Sequence, residues 1–205
     1  MSDAAARRIG VLVSGRGSNL QALIDATRDG RLAATIAVVI SNVSGAGALE
    51  RAVAAGLETV VMPHRDWSSR ADYDAALAAA LNSRQVRLVC LAGFMRRLSP
   101  TFFERFTHPV LNVHPSLLPA FPGLDGPGQA LSHGVKVAGC TVHLVTPELD
   151  AGPIVAQAAV PVLAGDTGET LAARILPEEH RLLPAAAALV LAGRWHLDGR
   201  RFVEE

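Results

Sequence analysis

Short apolar runs alternate with longer segments of helical periodicity through the first half of the chain, and this alternation constrains the fold most. The runs lie at residues 8–13, 35–40, 58–62 and 87–91, and a fifth follows at 109–114. Runs of this length are typical of strands buried on both faces, and strands joined by helices pair in parallel. The sequence therefore predicts an α/β fold: a doubly wound, mostly parallel open sheet with helices on both faces.

The second half of the chain extends this sheet with a different pattern. Residues 138–145 and 154–160 are predicted as sixth and seventh strands, and the loop between them is too short for a crossover helix. They are therefore expected to be antiparallel neighbours, which gives about seven strands with an antiparallel edge. A short helix is predicted over 129–133, and Asp198-Gly199 predicts a hairpin near the end.

A long helical pattern covers residues 167–193, but two prolines interrupt it. Pro177 and Pro184 each remove a backbone N–H donor, so a kink or restart is expected near Leu176. No linker or repeat divides the chain, and residues 1–205 are predicted to form a single domain.

Composition excludes several classes of protein. The chain has 205 residues with 50% hydrophobic and 19% charged side chains and zero formal net charge, so neither a nucleic-acid nor a membrane partner is expected. Residues 1–8 lack an apolar signal core, and no run approaches the ~20 apolar residues of a membrane span. A cytoplasmic location is predicted. Cys90 and Cys140 lie apart in apolar runs, which predicts buried thiols rather than a disulfide framework or a zinc site.

A glycine-rich turn, SGRGSN at 14–19, separates the first strand from the first helix. Backbone N–H groups at a helix start favour an anion such as phosphate, and Ser18 and Asn19 are residue types preferred as N-caps. The turn lacks the full dinucleotide fingerprint and the lysine of a P-loop. Phosphate binding is predicted at Gly17, Ser18 and Asn19; the alternative is a tight turn that only needs its glycines.

Two polar residues end the fifth strand. Asn112 and His114 project from the same face, because side chains alternate along a strand, and Pro115 keeps the backbone at His114 extended. An amide and an imidazole at a strand end can stabilise an oxyanion and transfer a proton. The alternative is that both residues only cap the strand.

Four motifs, in this order, resemble those of the phosphoribosylglycinamide formyltransferase (glycinamide ribonucleotide transformylase) family of the formyltransferase superfamily. They are SGRGSNLQA at 14–22, LAGFMR at 91–96, LNVHPSLLP at 111–119 and ELDAGP at 148–153. The resemblance covers nearly the whole chain, from Arg8 to Phe202, and implies a formyltransferase-like fold. It also implies formyl transfer from the co-substrate 10-formyltetrahydrofolate to the amine of glycinamide ribonucleotide, a step of purine (IMP) biosynthesis.

The resemblance implies catalytic roles for Asn112, His114 and Asp150. The first two would donate hydrogen bonds to the oxyanion of the formyl group. Asp150 would orient the imidazole of His114 and favour its protonated form. Together His114 and Asp150 would pass a proton from the attacking amine to the departing folate nitrogen.

The resemblance also implies two sets of binding residues. The set for the substrate phosphate and ribose is Gly17, Ser18, Asn19 and Glu179. The set for the folate is Arg70, Met95, Arg96, Arg97, Leu98 and Asn112, joined by the backbone of residues 146–150. For Glu179 the alternative is an exposed helix glutamate, and for Arg70 it is a surface charge at a helix start.

One position departs from the family pattern beside the implied site. Asp125 stands where the family usually has a histidine, and further basic or imidazole residues that usually follow are also missing. This change would affect pH dependence, loop mobility or substrate preference. Pro177 is also unusual beside Glu179 and would shift that residue.

Other readings stay open from the sequence. A formyltetrahydrofolate deformylase would transfer the formyl group to water, and it usually has an N-terminal regulatory domain. A methionyl-tRNA formyltransferase usually adds a C-terminal domain and a basic surface. A non-catalytic nucleotide-binding module would leave the implied catalytic residues without a shared purpose.

We expect small-molecule substrates, no metal, and a monomer or homodimer. His143 is predicted to be a hydrogen-bonded structural residue.

Overall fold

A computed structural model describes residues 7–205. The prediction that the N-terminus lacks an apolar signal core concerns mostly residues 1–6, which lie outside the described part. Within that part the strands are β1 Arg8–Val13, β2 Thr35–Ser41, β3 Thr59–Val61, β4 Leu88–Leu91, β5 Val110–His114, β6 Val137–Leu144, β7 Ile154–Pro161, β8 Trp195–Asp198 and β9 Arg201–Glu204. The α-helices are α1 Ser18–Arg28, α2 Gly47–Ala54, α3 Arg70–Asn82, α4 Pro100–Arg105, α5 Gly126–Ser132 and α6 Gly168–Ala192, and His64–Asp66 is a 3₁₀ turn.

All nine strands belong to one sheet, in the order β3-β2-β1-β4-β5-β6-β7-β9-β8. The first five strands pair in parallel, which confirms the mostly parallel doubly wound prediction. Strand β1 lies at the centre of this parallel part, and the chain moves from it first to one side and then to the other. The carboxyl ends of β1, β4 and β5 therefore meet at one edge, where ligands of open α/β sheets bind.

The remainder of the sheet corrects the predicted strand count. β6 and β7 are antiparallel as expected, but β5 and β6 are antiparallel as well. The predicted hairpin, β8 and β9, is not separate from the sheet, because Ile154 of β7 pairs with Arg201 of β9. The sheet consequently has nine strands rather than about seven.

The buried side chains form one cluster on each face of the sheet. Along β1, Val11 packs in the cluster shared with α1 and α6, whereas Leu12 packs in the cluster shared with α3 and α4. Neighbouring strand residues point to opposite faces, so both faces must be covered to exclude water. Helices on both faces are thereby confirmed, and Cys90 and Cys140 are buried free thiols as predicted.

Three predicted helix boundaries need correction. α6 runs through Pro177 and Pro184 without the expected restart, because its buried stripe packs on the sheet along the whole length. α5 begins at Gly126 rather than 129, since Asp125 caps it and Pro127 fits the first turn. The N-cap of α1 is Gly17, with Ser18 and Asn19 inside the helix. No helix among residues 7–205 could cross a membrane.

Candidate active site

A cavity of about 360 Å³ opens at the carboxyl edge of the sheet. Its walls are the segment after β4, the end of β5, residues 123–125 and the loop between β6 and β7. Seven residues predicted for the site line it: Met95, Arg96, Arg97, Leu98, Asn112, His114 and Asp150. The structure therefore brings the three implied catalytic residues and most of the implied folate residues to one cavity.

His114 and Asp150 form a buried pair at the base of this cavity. The imidazole Nδ1 lies 3.5 Å from Asp150 Oδ2, and both side chains are at least nine-tenths buried. The His114 Nε2 lies 2.9 Å from the carbonyl oxygen of Phe121. A carbonyl only accepts hydrogen bonds, so Nε2 carries a proton and donates it to Phe121. The nitrogen that faces Asp150 is therefore the one available for proton exchange.

Asp150 is held by backbone as well as by His114. The Gly123 N–H donates to Asp150 Oδ2 at 2.8 Å. The backbone of Asp150 has a φ of 48°, in the left-handed region that aspartate tolerates better than most residues. The imidazolium form of His114 would donate from both ring nitrogens, to Phe121 and towards Asp150, whereas the neutral Nε2–H form turns a lone pair to the carboxylate.

Asn112 is oriented by His143, on the antiparallel neighbour strand. These two residues are cross-strand partners, and Asn112 Nδ2 lies 3.2 Å from His143 Nε2. His143 Nδ1 lies 3.1 Å from the carbonyl of Leu144, so Nδ1 carries the proton and Nε2 accepts from the amide. Burial lowers the pKa of His143, which keeps this neutral form at neutral pH.

His143 thus has a role that sequence reasoning missed. The prediction of a hydrogen-bonded residue is met by its two contacts, but its Nε2 also lies 3.7 Å from Asp150 Oδ1, inside the site. The available signal was the pairing of β5 with β6, which places residue 143 opposite 112. That pairing was not predicted, and the contacts of Phe121 and Gly123 come from backbone atoms that carry no sequence signature.

The wall after β4 combines apolar and cationic groups. Met95 is 70% exposed at the mouth, while Leu98 is buried. The Arg96 guanidinium lies 4.6 Å from the ring centroid of Tyr73, and Arg97 donates to the carbonyl of Pro147 at 3.3 Å across the mouth. A flat heterocycle can lie against the apolar groups while backbone amides contact its polar edge.

Five predicted residues do not line this cavity. Arg70 is exposed at the start of α3. Gly17, Ser18 and Asn19 lie at the start of α1, beyond the end of β1, and Glu179 lies on α6. The turn is nevertheless joined to the cavity wall, because Ser14 Oγ accepts from the N–H of Met95 at 2.8 Å.

The turn at Gly17 has the geometry of an anion site. Gly17 is left-handed, with a φ of 78°, and packs so closely on α2 that an added Cβ would lie 2.6 Å from the Cα of Ala48. No side chain caps α1, and the first intrahelical bond runs from Gln21 N to Gly17 O. The preceding N–H groups, of Ser18, Asn19 and Leu20, therefore remain for a ligand, and the helix dipole favours an anion there.

Glu179 connects this turn with the catalytic residues. It is 9% exposed, and Asn19 Nδ2 donates to its Oε2 at 2.8 Å. Burial raises the pKa of Glu179, while the bond from Asn19 and the charge of His114 act in the opposite direction. Asn19 Oδ1 is buried without a hydrogen-bond partner among the described residues. A buried carboxylate and an unpaired acceptor beside an anion site can bind hydroxyl or amine donors.

Asp125, the departure from the family pattern, has a local structural role. It is the N-cap of α5 in the left-handed region, and its carboxylate accepts from the N–H of Gly128 at 3.1 Å. Short polar side chains tolerate this conformation and are preferred at helix starts. Asp125 also borders the cavity. Among residues 7–205 no group of three or more potential ligands is placed to bind a metal ion.

Comparison with known proteins shows the family to which the chain and its fold belong. The family model described as "Formyl transferase" matches residues 7–187. The chain belongs to this formyl transferase family. The match includes Asn112, His114, Asp150 and Glu179, so each of these site residues lies within the family's shared domain.

Individual relatives are named formyltransferases or proteins of purine biosynthesis. The chain is 48% identical over 91% of its length to the human trifunctional purine biosynthetic protein adenosine-3, of which it spans 18%. It is 44% identical to phosphoribosylglycinamide formyltransferase of Escherichia coli, covering 95% of this chain and 89% of that one. The crystal structure of glycinamide ribonucleotide transformylase 1 from Symbiobacterium toebii superposes with a TM-score of 0.95 at 54% identity. The superposition covers 98% of this chain and 94% of that one.

Proposed function

We propose that this protein transfers the formyl group of 10-formyltetrahydrofolate to the primary amine of glycinamide ribonucleotide, in purine (IMP) biosynthesis. The observation that carries the proposal is the convergence of Asn112, His114 and Asp150 on one cavity in a member of the formyl transferase family. The names of relatives with high identity over most of this chain support the same substrates.

Formyl transfer needs an oxyanion site and a route for one proton. The amine attacks the formyl carbon, and the carbonyl oxygen takes the negative charge of a tetrahedral intermediate. The amide of Asn112 would donate to that oxygen, and the Nδ1–H of His114 would do so when the ring is protonated on both nitrogens; removal of one such donor costs ~3 kcal/mol. When the bond between the formyl carbon and the folate nitrogen breaks, the folate nitrogen needs the proton that the amine gives up.

Asp150 and His114 would carry that proton. The carboxylate of Asp150 lies next to His114 Nδ1 and away from bulk water, so it can accept from the ammonium-like intermediate and return the proton through the imidazole. His143 keeps the Asn112 amide turned so that its second N–H can serve the oxyanion. In this scheme Asn112 and His114 stabilise the oxyanion, and His143 orients Asn112. Asp150 and His114 carry the proton.

The two substrates would approach from opposite sides of these residues. We assign the phosphate to the N–H groups after Gly17, and the ribose and amine to the space beside Asn19 and Glu179. We assign the pteridine of the folate to the cavity between residues 95–98 and 146–150. Arg70 is exposed at the start of α3 and does not line this cavity, so its contact with the folate stays a prediction of the resemblance.

The test measures both products of formyl transfer. Purified protein is given 10-formyltetrahydrofolate with and without glycinamide ribonucleotide, and formylated amine and free formate are quantified separately. We expect formylated amine to account for nearly all turnover. Formate as the main product in the presence of the amine would indicate a deformylase, and no turnover with either acceptor would indicate a binding module.

Several predictions of the sequence remain proposals beside this one. These are a single domain over residues 1–205, a monomer or homodimer, no nucleic-acid or membrane partner, no metal requirement, and a cytoplasmic location. Size measurement in solution and activity after treatment with a chelator would test the oligomeric state and the metal independence.

A further inference from the structure

Two backbone atoms of one short segment contact the catalytic pair. The carbonyl of Phe121 accepts from His114 Nε2, and the N–H of Gly123 donates to Asp150 Oδ2. Phe121 has a φ of 56°, a left-handed conformation that an aromatic residue rarely adopts and that costs roughly 1–3 kcal/mol. Contacts from elsewhere must therefore hold residues 121–123 in this position.

Gln129, on α5, supplies such contacts. Its Nε2 donates to the carbonyl of Pro122 at 3.0 Å and to the carbonyl of Leu124 at 2.8 Å. Both partners are acceptors only, so the amide nitrogen must face them and the orientation of the side chain is unambiguous. Pro122 lies between Phe121 and Gly123, and one side chain thus fixes the backbone on both sides of Gly123.

The helix that carries Gln129 is itself fixed to the site. Asp125 caps its first turn, and Gly126 packs so closely on the end of β5 that an added Cβ would lie 2.7 Å from the carbonyl oxygen of Pro115. The ring of His133 lies 5.0 Å from that of Phe121, centroid to centroid. α5 therefore holds residues 121–124 relative to the same strand end that carries His114.

We propose that Gln129 is a positioning residue for formyl transfer: through the carbonyls of Pro122 and Leu124 it holds the backbone groups that fix the tautomer of His114 and the orientation of Asp150. The kinetic part of this proposal rests on the proposed function. The structural part, the state of the His114 ring, does not.

Loss of the Gln129 amide should change His114 in a defined way. Without it the strained backbone at Phe121 can relax, and Nε2 loses the acceptor that keeps its proton there. Among residues 7–205, the titratable groups that interact with His114 are Asp150 on the loop after β6, His143 on β6 and Glu179 on α6. With Nε2 released, the proton moves towards Nδ1, which faces Asp150, and the ring is free to turn.

The experiment compares Gln129→Met, which keeps the side-chain length, and Gln129→Ala, which keeps a good helix former, with the wild type. Long-range ¹H–¹⁵N spectra of the unliganded protein report which nitrogen of His114 carries the proton, and a His114→Asn variant assigns its signals. Gln85→Met, at an exposed turn on another part of the molecule, is the control for the same side-chain change; Gln85 has a φ of 56°, so its stability is measured beside its His114 spectrum.

We expect the wild type and Gln85→Met to show the Nε2–H form, and both Gln129 variants to show a shift towards Nδ1–H. In steady-state transfer, kcat should fall about tenfold, as expected for a barrier higher by ~1.4 kcal/mol, with both KM values within about twofold. The acid limb of the pH–rate profile should also shift, whereas loss of stability alone would leave its midpoint unchanged.

His114 signals in either folded Gln129 variant that match the wild type would overturn the proposal. So would a shifted tautomer with unchanged kcat, because the contacts would then not serve catalysis. If the wild type transfers no formyl group but the tautomer shifts as expected, the proposed function fails while the role of Gln129 in positioning His114 is supported.

Discussion

At the scale of single residues, the site depends on polar groups whose protonation is set by their neighbours. Backbone carbonyls determine which nitrogen of His114 and of His143 carries a proton, and His143 in turn orients Asn112. Asp150 accepts a hydrogen bond from the Gly123 N–H and faces His114. A substitution that preserves shape but changes donors and acceptors is therefore the most informative test at this scale.

Glu179→Gln should not destabilise the protein at neutral pH. Burial raises the folded-state pKa of Glu179, so its stabilising contribution is fully present below the unfolded pKa and is lost as the pH rises through the folded value. The glutamine avoids this loss and can still accept from Asn19. Denaturant unfolding at several pH values should show that the variant is at least as stable as the wild type at pH ~7.5.

The advantage of Glu179→Gln should shrink as the pH falls towards the ordinary carboxyl range. Glu178→Gln is the control, since Glu178 lies on the outer face beside Arg181. A Glu179→Gln advantage that grows at low pH, or an equal effect of Glu178→Gln, would contradict the burial argument.

Gly17→Ala should weaken binding of the ribonucleotide and leave folate binding unchanged. The alanine would carry a Cβ into Ala48 at a φ of 78°, so the turn must move and its N–H groups lose their alignment. We expect the KM of glycinamide ribonucleotide to rise about tenfold or more, equivalent to at least ~1.4 kcal/mol, and the folate dissociation constant to stay within twofold.

Gly15→Ala is the matched control for this prediction, because a Cβ at Gly15 meets no atom within 4 Å. Equal changes in the KM of both substrates for Gly17→Ala would mean that the turn is only structural.

At the scale of elements, the short segments around the site are held by side chains of the helices. Gln129 of α5 holds residues 122–124, and Asp74 of α3 holds the start of α4. α6 continues through two prolines because packing of its buried stripe outweighs the missing hydrogen bonds. The two prolines predicted a break in this helix, but tertiary packing keeps it continuous.

Asp74→Ala should destabilise the protein and loosen the folate side of the site. Asp74 is fully buried, and its Oδ2 accepts from the N–H of Ser99 at 2.7 Å. Its removal leaves that N–H unpaired and should lower the free energy of unfolding by roughly 1–3 kcal/mol. The KM of the folate should rise, because residues 95–98 precede this anchor.

Asp72→Ala, on the exposed start of the same helix, is the control and should lose less stability. Unfolding midpoints of the two variants compare them directly. A smaller loss for Asp74→Ala than for Asp72→Ala would exclude the anchoring role.

Sequence patterns predicted where the strands, helices and turns lie better than they predicted the contacts between them. Alternation along a strand was enough to place Asn112 and His114 on one face at a strand end, and the glycine turn was enough to propose an anion site. Asp150 came only from the resemblance, since no local pattern links it to His114. His143 and Gln129 could not be predicted because their roles depend on the β5–β6 pairing and on backbone carbonyls of residues 122 and 124.

At the scale of the whole molecule, the sheet brings together residues that are distant in sequence. The parallel half places the turn after β1 and the segment after β4 at one edge. β6 ends beside the start of β5, and the loop after β6 folds back so that Asp150 reaches His114. The cavity contains His114 and Asp150, and the proposed phosphate turn is joined to its wall through Ser14 and Met95. This arrangement gives the two proposed substrates separate places at the same edge of the sheet.

The central claim is that Asp150, with His114 and Asn112, promotes the chemical step rather than binding. The most direct test is the single-turnover rate of formyl transfer for Asp150→Asn and the wild type, with both substrates bound. Asparagine keeps the shape and can still accept from Gly123, but it cannot take the proton. We predict a rate roughly 100-fold or more below the wild type, with both dissociation constants within about threefold. A rate close to that of the wild type, or a loss confined to the dissociation constants, would contradict the account.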